Sequence, residues 1–260
     1  MKKLLSALGG IGMAVIFIFG FFFFFKQPQQ CTENILIVGT ASGYAPFVSL
    51  NAQGEYEGFD IDFAKELAQK LDKKLVIKDL GSMNTLFIAL DQKMIDVIIW
   101  GLSITQKRLQ KVDMIAYQGD TTTAYELLFW KNIPDSIRSI DDMKELTVAV
   151  EPGSSQEAAL DKFPFINKKS MENVTDALLD LQYGKSDAIF VEPAVAKKFK
   201  QKFPNDLKSI SVPLSNEDYV FGVGVAIKKD RSSLTTDIKQ AIDQLRSEGV
   251  IERLEKKWEL

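Results

Sequence analysis

Apolar positions along this chain alternate between short unbroken runs and longer helical spacings. Ile35–Val38, Leu75–Lys78, Thr147–Val150 and Ala188–Val191 are brief, partly β-branched runs that predict buried strands. Ile95–Trp100 reads the same way. Gly58–Leu71 places Ile61, Ala64, Leu67, Ala68 and Leu71 on one helical face, and Met83–Gln92 does so with Leu86, Ala89 and Leu90. Met114–Gln118 and Tyr125–Trp130 read as extended, with Gly119–Thr123 a crossing between them. The plan of strand, loop and helix restarts at Leu146, with an amphipathic helix over Asn173–Tyr183. Tyr219–Ile227 is long enough for a second crossing, and Leu234–Trp258 is a terminal helical region. Two small α/β lobes joined by two hinge strands account for this order. A barrel would need about eight strand–helix units.

The N-terminus stands apart. Lys2 and Lys3 precede an almost continuous apolar run from Leu4 to Phe25, the pattern of an export signal. The run is also long enough to span a bilayer, which takes about 20 apolar residues. No small-residue cleavage site follows it. Cys31 invites lipidation, but Pro28-Gln-Gln-Cys31 lacks the small and aliphatic residues that usually precede a lipidated cysteine, so an uncleaved anchor or an atypical signal is favoured. The expected organisation is a signal or anchor segment with linker (1–31), a first lobe (32–121), a second lobe (122–220) and a return to the first (221–260). The body is then exported, periplasmic and tethered to a membrane.

Composition removes whole classes of chemistry. A net charge of −3 argues against a nucleic-acid partner. The chain has no histidine, which excludes Ser-His-Asp and Cys-His catalysis and every histidine-ligated metal. Its single cysteine lies in the linker, so the body has no thiol nucleophile and the chain no internal disulfide. No cofactor and no metal are expected.

What remains sits at the ends of strands, where ligands bind in open α/β sheets. After Ile95–Trp100, Gly101–Ser103 breaks the chain and Thr105 is placed to cap a helix starting at Gln106. Lys107 and Arg108 fall in its first turn, where the helix dipole is already positive, so they suit an anion; they would otherwise be solvated surface cations. Arginine's planar fork fits a carboxylate in two-pronged fashion. In the second half, Glu151–Glu157 turns into a helix whose Ser154 and Glu157 match a capping box, while its free N–H groups also make an anion site. Glu192 ends the Ala188–Val191 strand, positioned for a cation or left as a loop acid. Tyr44 and Phe47 would plug the core or face a ligand. Asp60 and Asp62 are read as capping their helix rather than as a catalytic pair.

Six stretches, taken in order, resemble the polar-amino-acid-binding proteins of ABC importers. They are Val38-Gly-Thr…Tyr44-Ala-Pro-Phe47, Gly58-Phe-Asp-Ile-Asp62, Gly101-Leu-Ser-Ile-Thr-Gln-Lys-Arg108, Gly153-Ser-Ser-Gln156, Gly184-Lys-Ser-Asp187 with the 219–227 crossing, and Glu248-Gly-Val…Lys257-Trp258. Each is weak alone, and together they run from about Ile35 to the end. Val191-Glu-Pro193 with that ending looks most similar to arginine-binding members from chlamydiae. The resemblance implies a two-lobe periplasmic-binding-protein fold closing on a free amino acid and delivering it to an ABC permease in the inner membrane, as a monomer.

Carried over residue by residue, Arg108 would fork onto the ligand carboxylate, completed by the Ser155 amide and the Ser154 hydroxyl. The Gly101 carbonyl, Ser103 and Glu192 would take the ammonium, while Tyr44 and Met83 would sandwich the side chain beside Trp100. Three positions depart from the family pattern. Ala41 stands where lysine or arginine binders often carry an acid, Met83 where an aromatic is common, and Glu192 where Asp is common. Glu151 is the candidate substitute partner for a cationic side chain, which makes an arginine-like ligand the expectation. The rival function is a periplasmic enzyme resembling arogenate or prephenate dehydratases, with Glu151 or Glu192 as its acid.

Overall fold

The computed structural model describes residues 34–260. The expected signal or anchor segment and Cys31 lie outside the described residues. In chain order, β1 (Ile35–Thr40) leads through β2 (Ser49–Leu50) and β3 (Tyr56–Glu57) to α1 (Phe59–Lys70) and β4 (Lys74–Asp79). Then follow α2 (Met83–Asp91), β5 (Val97–Ile98), α3 (Gln106–Leu109) and β6 (Val112–Thr122). The next stretch holds β7 (Ala124–Trp130), β8 (Thr147–Val150), α4 (Ser155–Leu160), β9 (Asn167–Ser170), α5 (Val174–Gln182) and β10 (Ala188–Val191). It continues with α6 (Pro193–Lys202) and β11 (Leu207–Pro213), and the chain returns through β12 (Val220–Lys228) to α7 (Ser232–Ser247) and α8 (Val250–Trp258).

Two five-stranded sheets result, ordered β4-β1-β5-β12-β6 and β11-β7-β10-β8-β9. In each, the strands that begin strand–loop–helix units run parallel, and antiparallel strands complete the sheet. This is the two-lobe α/β fold. The chain passes between the sheets at Thr123, and β12 pairs antiparallel with β6 on its return, so the two connecting strands lie side by side. Helix α2 packs on β1 and β5, and α5 packs on β8 and β10. With both faces covered, the central strands are apolar throughout: Val97, Ile98, Ala188 and Ile189 are fully buried.

Local expectations hold unevenly. Only Val97 and Ile98 of the expected 95–100 strand form ladder pairs, although Asp96 and Ile99 also donate to the β1 carbonyls of Ile37 and Gly39. The helix begun at Gln106 is a single turn. The expected crossing at 119–123 is mostly strand, since β6 runs to Thr122. The terminal helical region breaks at Gly249, whose φ of 70° is left-handed. Strands β9 and β11 and helix α6 carry no expectation at all. The two strands lie at sheet edges; β9 is polar throughout and β11 mixes polar with apolar residues, and polar, charged edges resist pairing with other chains. Helix α6 begins with Pro193 in its first turn, a start signal that the strand-end reading of Glu192 overlooked.

Asp60 and Asp62 do not cap α1. Gly58 occupies the cap position without a side-chain bond, and each carboxylate is engaged elsewhere. Asp62 accepts from Lys257 Nζ at 2.6 Å and Trp258 Nε1 at 3.0 Å, tying α1 to α8. Asp60 is buried beneath the loop after β5.

Ile98 lies at the centre of the first sheet, between β1 and β12. Ile98→Ala should destabilise the protein by about 2–5 kcal/mol through lost burial and an unfilled cavity. Urea unfolding monitored by circular dichroism checks this, and a midpoint equal to the unsubstituted protein's would show that the core there is not tightly packed.

Candidate functional site

The loop Gly101–Ile104 is strapped to the return strand. Gly224 N–H donates to the Leu102 carbonyl at 2.9 Å, Ile104 N–H to Gly222 at 2.9 Å, and Phe221 N–H to Ile104 at 3.0 Å. Thr105 caps α3, its hydroxyl accepting from Arg108 N–H at 3.2 Å. That turn directs the Arg108 side chain inward. Its guanidinium donates to the Ser103 carbonyl at 2.8 Å and, from the first lobe to the second, to the Gly153 carbonyl at 3.3 Å. The Met83 sulfur lies 3.6 Å away. Arg108 is 9% exposed, so the alternative of a solvated surface cation is excluded. Burial pulls its pKa down, while nearby Glu192 favours the charged form.

The second lobe meets this loop with two carboxylates at strand ends. Glu192 follows β10 and is also 9% exposed, which excludes the exposed loop acid. Tyr44 donates to it at 3.0 Å, and the Ser103 hydroxyl donates to its other oxygen, both from the first lobe. Glu151 follows β8. Burial, reinforced by repulsion from Glu192 and partly offset by Arg108, pushes its carboxyl up to about 8. Asn173 and Thr175 add further contacts between the lobes, donating to the Ser42 and Gly43 carbonyls at 3.2 and 3.0 Å. The two lobes are therefore closed on each other.

A small cavity of about 10 Å³ lies between them, lined by Tyr44, Met83, Trp100, Gly101, Ser103, Arg108, Glu151, Ser154 and Glu192. These are the expected residues with one exception. Ser155 lines instead a wider depression on the far side of Arg108, together with Ser154 and Met83. Ser154 caps α4 by accepting from Glu157 N–H at 2.9 Å, but Glu157 takes Gly153 N–H at 2.7 Å rather than the Ser154 amide. The capping box is thus half formed. Gln156, buried and lining the cavity, was missed; only its place in the Gly153–Gln156 turn pointed towards it. An adjoining cavity of about 20 Å³ shares Tyr44, Glu151, Gln156 and Glu192 and runs beneath α5 and α6.

Tyr44 stacks on Phe47 at 5.6 Å and leans on Trp100 at 5.4 Å, so it serves both as core plug and as cavity wall. Trp100 Nε1 is buried without a hydrogen-bond partner. One guanidinium and two carboxylates in an enclosed, partly aromatic space suit a small molecule carrying both signs of charge. Among the described residues no group of three or more metal-ligating side chains converges.

Residues 36–260 match the family model of bacterial extracellular solute-binding proteins, family 3. A probable ABC transporter arginine-binding protein of Chlamydia trachomatis is 33% identical, over 90% of this chain and 90% of that protein. The histidine-binding periplasmic protein of Escherichia coli is 31% identical, over 87% of each. The solved structure of an ancestral arginine-binding protein bound to arginine superposes with a TM-score of 0.75 at 30% identity, over 86% of this chain and 98% of that one. The named relatives are transporter binding proteins, not enzymes.

Gly101 has a φ of 50°, and a Cβ there would stand 2.8 Å from the Phe47 ring and 2.9 Å from the Tyr44 ring. Gly101→Ala should lose about 1–2 kcal/mol from the left-handed backbone alone, with a further penalty from the two rings. A urea midpoint like that of the unsubstituted protein would mean that the loop relaxes freely.

Proposed function

We propose that this chain, which belongs to family 3 of the bacterial extracellular solute-binding proteins, closes on a free cationic amino acid of arginine-like charge and length and delivers it to an ABC permease. Its role as a solute-binding receptor, without catalysis, is that of its relatives; the ligand class and the site are inferred. The observation that carries the inference is charge. Among the described residues Arg108 is the one cation lining the cavity, and it faces two carboxylates, Glu151 and Glu192. A ligand carboxylate on Arg108 and an ammonium on Glu192 leave Glu151 unmatched, and a buried carboxylate without a counter-charge is costly. A second positive charge on the ligand side chain pairs with the ionised form, whereas with a neutral amino acid Glu151 keeps its proton and gains no partner. The arginine named for the relative from Chlamydia trachomatis fits the same requirement, and histidine fits it in its protonated form.

In this reading Gly101 and Ser103 assist Glu192 at the ammonium. Ser154 and the Ser155 amide assist Arg108. Tyr44, Met83 and Trp100 flank the aliphatic part of the side chain, and Met83 supplies an adaptable apolar surface where a ring would stack. Because the ligand touches both lobes, its differential contacts favour the closed state. The permease senses that closure. The receptor works outside the cytoplasm as a monomer, held near the membrane by its N-terminal segment.

A thermal-shift panel of amino acids on residues 33–260 tests the class, since a ligand that binds only the folded state raises Tm. Shifts with arginine, lysine or ornithine are expected, and shifts confined to neutral amino acids would overturn the charge argument. Arg108→Ala should weaken every amino-acid ligand alike. Removing one partner of a buried charge pair costs about 3–5 kcal/mol, a hundredfold or more in Kd; unchanged binding in calorimetry would remove Arg108 from the site.

Glu151 gives the reading a pH signature. In the closed structure its carboxyl is pushed up to about 8, so at neutral pH it is largely protonated. A cationic side chain favours the ionised form, and binding therefore releases a proton. Arginine affinity should rise with pH from about 6 to about 8, approaching tenfold per unit at the lower end, and level off above. Glu151→Gln should flatten that rise and weaken arginine while leaving glutamine unaffected. Equal losses for both ligands would make Glu151 structural.

A further inference from the structure

Asp60 is the most deeply buried carboxylate associated with the site, yet it lines neither cavity. It is 1% exposed in the first turn of α1. One of its oxygens accepts from Gly101 N–H and the other from the Tyr117 hydroxyl at 2.7 Å. No cation is among its partners, and burial pushes its carboxyl up to about 7. The fold thus holds an acid where its charge is disfavoured, joined only to two neutral donors.

Those donors belong to the two parts of the first lobe whose placement matters for closure. Gly101 opens the ligand loop, its left-handed backbone pressed against Tyr44 and Phe47. Tyr117 is on β6, the strand that leads to the second lobe, and its ring is stacked in a row with Phe63 at 4.2 Å and Phe59 at 6.0 Å. Phe59 and Phe63 flank Asp60 on α1 and are fully buried, so the carboxylate is held rigidly from below. The loop's other edge is held by the straps to β12. Without the Asp60 bond, the Trp100–Gly101 peptide would have no polar anchor on the α1 side.

We propose that Asp60 is a positioning residue for amino-acid binding: through Gly101 and Tyr117 it clamps the ligand loop to the inter-lobe strand, so that the Gly101 carbonyl and the Ser103 hydroxyl are preorganised for the ligand ammonium. This rests on the amino-acid reading above but not on the cationic one. It acts at the end of the ligand shared by all α-amino acids, so it is indifferent to their side chains. A preformed loop lowers the ordering cost of binding. Asparagine can replace the clamp, because its oxygen accepts from Gly101 while its NH₂ faces the Tyr117 oxygen, which accepts as readily as it donates.

The test is calorimetry with arginine and with glutamine at a temperature where circular dichroism shows each variant fully folded. Asp60→Ala should weaken both ligands to the same degree, on the order of tenfold, and Asp60→Asn should restore most of that loss. Glu151→Gln, by contrast, should act on arginine alone. Wild-type binding by folded Asp60→Ala, with only Tm lowered, would make the residue structural and overturn the proposal. A loss confined to arginine, or no recovery with asparagine, would overturn it as well. If Asp60→Ala does not fold, Tyr117→Phe decides: weakening of both ligands supports the clamp and unchanged binding rejects it. If the unsubstituted protein binds no amino acid, the receptor's ligand class fails and this role with it, whereas selective failure of Glu151→Gln leaves it standing.

Discussion

The closed structure depends on one buried guanidinium. Arg108 reaches from the first lobe to the Gly153 carbonyl of the second and stands with Glu151 and Glu192, the two carboxylates that line the same cavity among the described residues. A buried charge is tolerated only with partners, so each of the three groups constrains the others. Glu192 meets this requirement through Tyr44 and Ser103. Glu151 has no hydrogen-bond donor of its own in the cavity and responds by holding its proton to about pH 8. The imbalance that remains is what a ligand is suited to correct.

The scaffold presents these charges through backbone geometry. Gly101, Glu151 and Glu192 all follow the carboxyl ends of parallel strands, β5, β8 and β10, so two sheets facing each other bring three loops to one place. Short connections keep the loops stiff: α3 is a single turn capped by Thr105, and the loop before it is bonded along its length to β12. Gly153 makes the close approach of the lobes possible. Its φ is 76°, and a Cβ there would lie 3.2 Å from Asn84 and 3.3 Å from Met83 across the cleft. Among the described residues two adjacent strands, β6 and β12, connect the lobes, the arrangement in which a hinge concentrates backbone change at few positions.

Much of this was legible beforehand, because the signals are local. Buried parallel strands are apolar on both faces, so Thr147–Val150 and Ala188–Val191 appear in the sequence with the ends they have in the structure. Helical spacing marked α1, α2 and α5, and the Thr105 cap and Asn173 start followed from side chains that accept from their own helix. The absence of histidine by itself removes histidine-dependent catalysis and histidine-ligated metals. Edge strands β9 and β11 carry no such signal, since one side of each faces no partner strand and polar residues fill it.

The sequence by itself determined the alternation of strands and helices, the two-lobe plan and the residue types available at the strand ends, because these follow from periodicity and short-range bonding. Only the tertiary structure decided what those residues do with each other. Asp60 and Asp62 sit two apart in one helix turn, yet one lies under the ligand loop and the other pins the C-terminal helix, a division that depends on which faces of α1 meet Gly101 and Trp258. Ser154 and Ser155 are neighbours in the chain, but the first lines the cavity and the second the depression outside it. Gln156 enters the cavity unannounced. Burial, charge pairing and the pKa of Glu151 arise from groups more than forty residues apart in the chain meeting in low dielectric, and no local pattern encodes that meeting.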